Sequence, residues 1–330
     1  MTDDALDPAL KAMLKAAAEA PAGPSIRDLP VPEARAAYRE RYLIRGIRAP
    51  EAPVAMTEHV LELPDRVIDA RLYRPARAGD TPALPLVIYF HGGGFVVGDP
   101  AAYDNQSRWL ADRLGALVLT PDYRLAPEHP FPAAVKDAWD VFTLVAGDAA
   151  AWGADPAAIG LAGDSAGGCL TLVTALTARD RPEGPQPVAG LALYPVTDFR
   201  PNAGQDVGYP SMAAFGRGYF LDTATMDWFC DLLLTGTEDA RDPRASPLLW
   251  PDVAGTCPMV LATAGFDPLS DQGDAMAERL AAAGVPVDHL RLPDMIHNFP
   301  GYAGLSAGAE AAFARVVDAF GARLLGRTRG

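Results

Sequence analysis

Ile159-Gly160-Leu161-Ala162-Gly163-Asp164-Ser165-Ala166-Gly167-Gly168 is the stretch on which the reading of this chain turns. An apolar run stops at a glycine-flanked serine and resumes as the helical pattern Cys169-Leu170-Thr171-Leu172-Val173-Thr174-Ala175-Leu176, so the stretch reads as a strand, a sharp turn and a helix. The turn matches G-x-S-x-G, in which the serine occupies a corner so tight that a side chain two positions away on either side would strike neighbouring backbone. Gly163 and Gly167 fill those two positions. At such a corner Ser165 Oγ leaves the sheet toward a cleft and lies beside the positive end of the following helix, which suits a nucleophile that must carry an oxyanion. Taken alone, the five residues could be an ordinary glycine turn that happens to hold a serine. The apolar strand before them and the apolar helix after them are the context that the motif requires. Cys169, one helical turn further on, is expected to face the core as a buried thiol.

Strand-like apolar runs recur on both sides of this stretch, at 86–90, 116–121, 159–162, 188–194, 258–263 and 287–292. Helical stretches separate them, at 105–114, 133–145, 166–179, 271–283 and 307–325. Alternation of this kind implies right-handed crossovers and a mostly parallel sheet with helices on both faces. Two further runs, 54–63 and 67–73, alternate around Leu63-Pro64-Asp65-Arg66 as an antiparallel hairpin, which brings the expected sheet to about eight strands. Helical patterns at 3–20, ended by Pro21-Ala22-Gly23-Pro24, and at 31–43 stand outside the alternation. The rhythm also breaks between Asp198 and Leu248, where Gly, Pro and the aromatics Tyr209, Phe215, Tyr219, Phe220, Trp228 and Phe229 replace a simple crossover. The expected organisation is an amino-terminal part of a helical cap (1–48), a first part of an α/β core (49–197), a cap insertion (198–247) and a second part of the core (248–330). Such a cap would lie over the carboxyl ends of the strands, where open α/β sheets bind ligands. The plainer alternative is a helical excursion whose aromatics form their own core.

With 330 residues, 49% of them hydrophobic, the chain can bury a large core, and no apolar run is long enough to cross a bilayer. A net charge of −14 counts against nucleic acid or anionic lipid as partners. The acidic start Met1-Thr2-Asp3-Asp4-Ala5-Leu6-Asp7 stands where a secretory signal would be basic, so a cytoplasmic location is expected. Cys169, Cys230 and Cys257 show neither metal-ligand spacing nor a disulfide framework, and no metal site is expected.

An acyl-transfer serine needs a base, an acid to orient that base, and donors for the oxyanion. His91-Gly92-Gly93-Gly94-Phe95 follows a strand directly, and its consecutive glycines leave backbone N–H groups uncovered, to be joined by the amide of Ala166. No lysine follows as it would in a phosphate-binding loop. Among the five histidines, His297 lies beyond the last strand in Pro293-Asp294-Met295-Ile296-His297-Asn298-Phe299, read as a loop from which an imidazole could swing over the serine. His289 falls within that strand, His59 in the hairpin and His129 in a proline-rich loop, while His91 is placed to brace the oxyanion loop. His297 is therefore the preferred base, also because it closes the chain order Ser, acid, His. For the acid, Asp267 and Asp271 compete in Phe266-Asp267-Pro268-Leu269-Ser270-Asp271. Asp267 comes first off its strand and is preferred; Asp271 suits the first turn of the next helix. Asp164 points away from Ser165 along the turn and is read as structural.

With these residues assembled, the sequence resembles the hormone-sensitive-lipase-like branch of the α/β-hydrolase esterases, from about residue 72 to the end. The resemblance is carried by His91 to Phe95, by Tyr123-Arg124-Leu125-Ala126-Pro127-Glu128-His129-Pro130-Phe131-Pro132-Ala133-Ala134, by Gly163 to Gly168, and by Asp267-Pro268-Leu269 with His297. It implies an α/β-hydrolase fold, Ser165 as nucleophile, His297 as general base, Asp267 as its orienter, and Gly93, Gly94 and Ala166 as oxyanion donors. It also implies a lid made of amino-terminal helices plus an insertion after the sixth strand. The stretch from Tyr123 is read as a brace beneath the site, and Asn298 stands where family members often carry glycine. The expected activity is hydrolysis of short to medium acyl esters through an acyl-serine, with a small-molecule ester as partner and no metal or organic cofactor. The resemblance further implies room for bulky alcohols. Two other readings keep the fold: an amide, peptide or formamide hydrolase on the same triad, and a non-catalytic small-molecule receptor. The last helix and its neighbouring strand offer a surface on which a homodimer could form.

Overall fold

Eight strands form one sheet in the computed structural model, which describes residues 5–20, 23–44, 47, 49–79, 81 and 83–326. They are β1 (Val54–Leu63), β2 (Arg66–Pro75), β3 (Leu84–Phe90), β4 (Leu117–Pro121), β5 (Ala154–Asp164), β6 (Gly190–Leu193), β7 (Met259–Phe266) and β8 (Val287–Ile296). The spatial order is β1-β2-β4-β3-β5-β6-β7-β8. β2 is antiparallel to both β1 and β4, and every pairing from β4 to β8 is parallel. The hairpin turns at Pro64-Asp65, as its sequence predicts.

Both faces of the sheet are covered, and the alternation of side chains along β3 shows how. Leu86, Ile88 and Phe90 join one core with Phe142 of α4 (Ala133–Gly147), Leu170 of α5 (Ala166–Arg179) and Met276 of α8 (Ser270–Ala282). Val87 and Tyr89 point the other way, toward Trp109 of α3 (Asp104–Leu114) and Phe313 and Phe320 of α9 (Ala307–Leu324). A strand buried on both faces needs no polar positions, which is why the central runs read as continuously apolar.

The chain passes from β3 to β4 on one side and then returns to β5 on the other, so the strand order reverses at β3. Phe90 and Gly163 are register partners at the carboxyl ends of β3 and β5. The loops leaving these two ends therefore diverge side by side, which opens the crevice where sheets of this type hold ligands.

Two expectations shift. β5 begins at Ala154, because Leu84 pairs with Ala154 before an irregularity restores the Leu86–Ile159 register. β8 runs on to Ile296, so Pro293 to Ile296 are strand and not loop. Proline is tolerated there because β8 is the edge of the sheet, where one side of the ladder needs no donor.

Outside the sheet lie α1 (Pro8–Glu19), α2 (Val31–Ile44), α6 (Pro210–Phe215) and α7 (Thr223–Leu233). Asp7 accepts hydrogen bonds from the amides of Ala9 and Leu10, and with Pro8 at the first helical position it starts α1 later than periodicity predicts. The expected helix start at 3–4, its stop at 21–22 and the boundary at 48 lie outside the described residues. Arg27 meets Asp222, the cap of α7, at 3.1 Å, so the amino-terminal segment touches the insertion between β6 and β7. Among the described residues no helix is long and apolar enough to cross a membrane.

Candidate active site

Ser165 leaves β5 with φ 53° and ψ −114°, and α5 starts at the next residue. A non-glycine residue held there costs about 1–3 kcal/mol and persists only where its surroundings impose it. The imposing atoms are backbone: a Cβ on Gly167 would lie 1.8 Å from Phe90 O, and one on Gly163 would lie 2.3 Å from Gly167 O. Strand and helix thus approach more closely than any side chain permits.

Beside the elbow, the amides of Gly93, Gly94 and Ala166 find no acceptor among the described residues. Gly94 has φ 60°, and Gly93 receives Val96 and Val97 N–H on its carbonyl, so the loop is curled with its donors turned outward. His91 braces this loop, as its position predicts. Its Nδ1 lies 2.8 Å from Gly92 O, its ring stacks on Tyr123 at 4.3 Å, and Tyr123 OH donates to His91 O at 2.7 Å. Burial lowers the His91 pKa to about 4 and keeps it neutral. The Tyr123 stretch continues the brace through Ala126 N–H, which donates to Phe95 O.

His297 follows β8 immediately, 4% exposed, with Nδ1 2.7 Å from Oδ2 of the fully buried Asp267. The imidazole is anchored, not free to swing, because the strand reaches Ile296 and Tyr194 packs on the ring at 4.6 Å. No hydrogen bond joins Ser165 to His297 in this structure, although both line one cavity of about 180 Å³ together with Tyr38, Arg41, Gly94, Phe220 and Asn298. A smaller recess of about 40 Å³, walled by Val196, Phe199, Met226 and Leu269, meets the same serine. His289 pairs with Asp274 at 3.0 Å and His59 with Thr57 at 2.8 Å, both away from the cavity lining.

Asp271 sits in the first turn of α8, where its charge favours the free amides, but its hydrogen bonds go elsewhere. Its Oδ2 accepts Ser211 N–H of α6 at 2.7 Å, while Ser211 Oγ donates to Pro268 O at 2.8 Å, so this carboxylate fastens the insertion to the Asp267 loop. Asp164 borders the same cavity as Ser165. It accepts Tyr89 OH at 2.6 Å, Gly92 N–H at 2.9 Å and Tyr103 OH at 3.2 Å, and so ties the elbow to the glycine loop. Cys169 is buried, its thiol pKa raised by desolvation.

The backbone reveals residues that motif reasoning missed. Five non-glycine residues among those described have positive φ: Phe95, Ser165, Tyr194, Phe220 and Asn298. Each belongs to the loops of this site or packs on His297. Such clustering is how strain marks a functional region. Asn298 at φ 59° occupies a conformation that glycine adopts freely and asparagine tolerates, which accounts for its standing at a glycine position.

A model of the alpha/beta hydrolase fold matches residues 87–301. The chain is 38% identical over 289 residues to the carboxylic ester hydrolase LipN of Mycobacterium tuberculosis, spanning 86% of this chain and 74% of that protein. It is 34% identical over 290 residues to an ethyl acetate hydrolase of Pseudomonas putida, spanning 87% and 88%. Among solved structures, an ester hydrolase from the Lake Arreo metagenome, complexed with a bipyridine phosphonate derivative, superposes with a TM-score of 0.88 at 35% identity. That match covers 96% of this chain and 98% of the other. Elbow, glycine loop, sheet order and sequence similarity over most of the chain thus converge, and the chain belongs to the hormone-sensitive-lipase-like branch of the α/β-hydrolase superfamily.

Proposed function

We propose that this protein is a serine carboxylesterase that hydrolyses short to medium acyl esters through an acyl-Ser165 intermediate. The observation that carries the reading is the buried His297–Asp267 pair, Nδ1 to Oδ2 at 2.7 Å, whose histidine lines the cavity that holds a strained serine beside unpartnered amides. Asp267 fixes the imidazole so that Nε2 serves as the base. As Ser165 Oγ attacks the ester carbonyl, its proton passes to His297 Nε2, and the oxyanion is received by the amides of Gly93, Gly94 and Ala166. Collapse expels the alcohol, which takes the proton from His297. Water then attacks the acyl-enzyme, surrenders its proton to His297, and Ser165 leaves with that proton as the acid departs. The missing Ser165–His297 hydrogen bond fits a resting site, since such contacts tighten when substrate is bound.

Residues 1–48 and 198–247 act as the cap in this reading. Supporting it, Tyr38, Phe220, Leu221 and Phe229 from these segments line the cavity, and the small apolar recess limits the chain that can extend past Met226. Replacement Ser165→Ala tests the whole assignment. Turnover of p-nitrophenyl butyrate should fall by about 10⁴-fold or more with the circular dichroism spectrum unchanged. A fluorophosphonate should label the wild-type chain and not the variant; undiminished turnover in the variant would overturn the reading.

A further inference from the structure

Two hydrogen-bond chains run from α2 to the two oxygens of Asp164. In the first, Tyr42 OH donates to Gln106 Oε1 at 2.9 Å, Gln106 Nε2 donates to Tyr89 OH, and Tyr89 OH donates to Asp164 Oδ1 at 2.6 Å. In the second, Tyr38 OH meets Tyr103 OH at 3.0 Å and Tyr103 OH donates to Asp164 Oδ2 at 3.2 Å. Counting protons sets the direction of both. A phenol has one O–H to give. Tyr103 spends its own on Asp164, so Tyr38 is the donor to Tyr103. Tyr89 spends its own likewise, so it accepts from the Gln106 amide, whose carbonyl is left to receive Tyr42. Every donor points toward the carboxylate, and links aligned in one direction strengthen each other.

Run in this direction, the chains suit an ionised carboxylate, which accepts and never donates. Asp164 is 2% exposed, and among the described residues no Lys or Arg hydrogen-bonds to it. The groups facing it are Tyr89 on β3, Tyr103 before α3, Tyr123 after β4, Tyr194 after β6 and His297 after β8, with Tyr38 and Tyr42 of α2 behind Tyr103 and Gln106. Burial pushes its pKa up to about 6, against the pull of Tyr89, His297, Tyr103 and Gly92 N–H. A protonated Asp164 would have to donate to one of its tyrosines. Only the Tyr103–Tyr38 chain can turn round to receive that proton, because the Gln106 amide nitrogen has no lone pair to offer.

We propose that α2 is more than a cover: Tyr38 and Tyr42 are positioning residues that hold Asp164 as a carboxylate and, through it, set the Gly92 to Gly94 loop against the nucleophile elbow. The inference rests on the esterase reading above. Gly92 N–H is bound to Asp164 one residue before the proposed oxyanion donors, so the clamp aims them. The same charge lies near His297 and favours the imidazolium formed when Ser165 gives up its proton.

The test is steady-state kinetics of the full chain on p-nitrophenyl butyrate from about pH 5 to pH 9. It compares the wild type, Tyr38→Phe/Tyr42→Phe and Asp164→Asn. The phenylalanines keep the rings, including the 4.2 Å stack of residue 42 on Tyr103, and remove the hydroxyls, with them the 3.5 Å contact of Tyr42 OH to Asn298 Oδ1. The double variant should lose about tenfold in kcat with KM within about twofold, since the effect falls on oxyanion stabilisation. Its acid limb in kcat/KM should move to higher pH, because a carboxylate with fewer donors ionises later. In Asp164→Asn the part of the limb set by Asp164 should be absent, because an amide does not titrate. A double variant with kcat within about twofold of the wild type and a superimposable profile would overturn the proposal. Thermal unfolding checks that each variant is folded, and if Asp164→Asn is not, the tyrosine pair decides. A wild-type chain that neither turns over the ester nor takes the fluorophosphonate label would sink the esterase reading, and this proposal with it. A labelled, active wild type beside an unaltered double variant would sink this proposal alone.

Discussion

Around Ser165 the chain is held by collisions between backbone atoms, whereas the segments above it are tied down by partly exposed ion pairs. At the rim of the sheet a Cβ on Gly167 would meet Phe90 O at 1.8 Å, and His297 and Asp267 are bonded to each other with both side chains buried. Above it, Arg27 pairs with Asp222 at 3.1 Å with both side chains 36% exposed, Arg39 pairs with Asp99 at 2.7 Å, and Arg35 pairs with Glu128 at 2.6 Å. Exposed pairs contribute about 0–1 kcal/mol each and are screened by salt, while a close-packed backbone contact admits no gradual weakening. Geometry needed to a fraction of an ångström is thus built where nothing can give, and the shape of the cavity is set by parts that can shift without unfolding the sheet. The two tyrosine chains to Asp164, and the bonds of Ser211 to Asp271 and Pro268, are less exposed links between the two regions.

Three experiments would break or sharpen this contrast. The largest effect is expected at the rim. Asp267→Asn should keep the fold and lower kcat/KM for a p-nitrophenyl ester by about 10⁴-fold, through the wrong imidazole tautomer. A loss below about tenfold would mean that the buried pair is not what orients the base. Next comes a place where rim and cover touch at a glycine. A Cβ on Gly94 would stand 2.2 Å from the Phe229 ring of α7. Gly94→Ala should therefore cost about 10²-fold in kcat, the scale of a misplaced oxyanion donor. Adding Phe229→Ala should restore part of it if the ring is the obstacle. No restoration would assign the loss to the positive φ of Gly94 instead. The smallest effect belongs to the cover. Arg27→Gln should raise KM by about twofold at low salt with kcat unchanged, and the difference should vanish in about 1 M NaCl. A change of tenfold or more would show that this ion pair shapes the site as firmly as the rim does.

What the sequence determined by itself was local backbone geometry. Gly163, Ser165 and Gly167 mark an elbow within five residues, although the atom that forbids a side chain at Gly167 is Phe90 O on the neighbouring strand. The alternation of apolar runs and helical stretches specifies a mostly parallel sheet because burial on two faces writes a distinct pattern into each strand. Even so, β8 outran its predicted end, since an edge strand accepts a proline that an interior strand would refuse. Partners far apart in the chain were decided only by tertiary structure. Asp271 turned from its own helix to Ser211, sixty residues earlier, and Tyr42 reached through Gln106 and Tyr89 to Asp164. The His297–Asp267 contact spans two neighbouring strand ends, and the nearness of the glycine loop to the elbow follows from the reversal of strand order at β3. No short stretch of residues encodes which strand ends lie side by side, because that order minimises the exposed surface of the whole sheet and exists only once the chain has closed on itself.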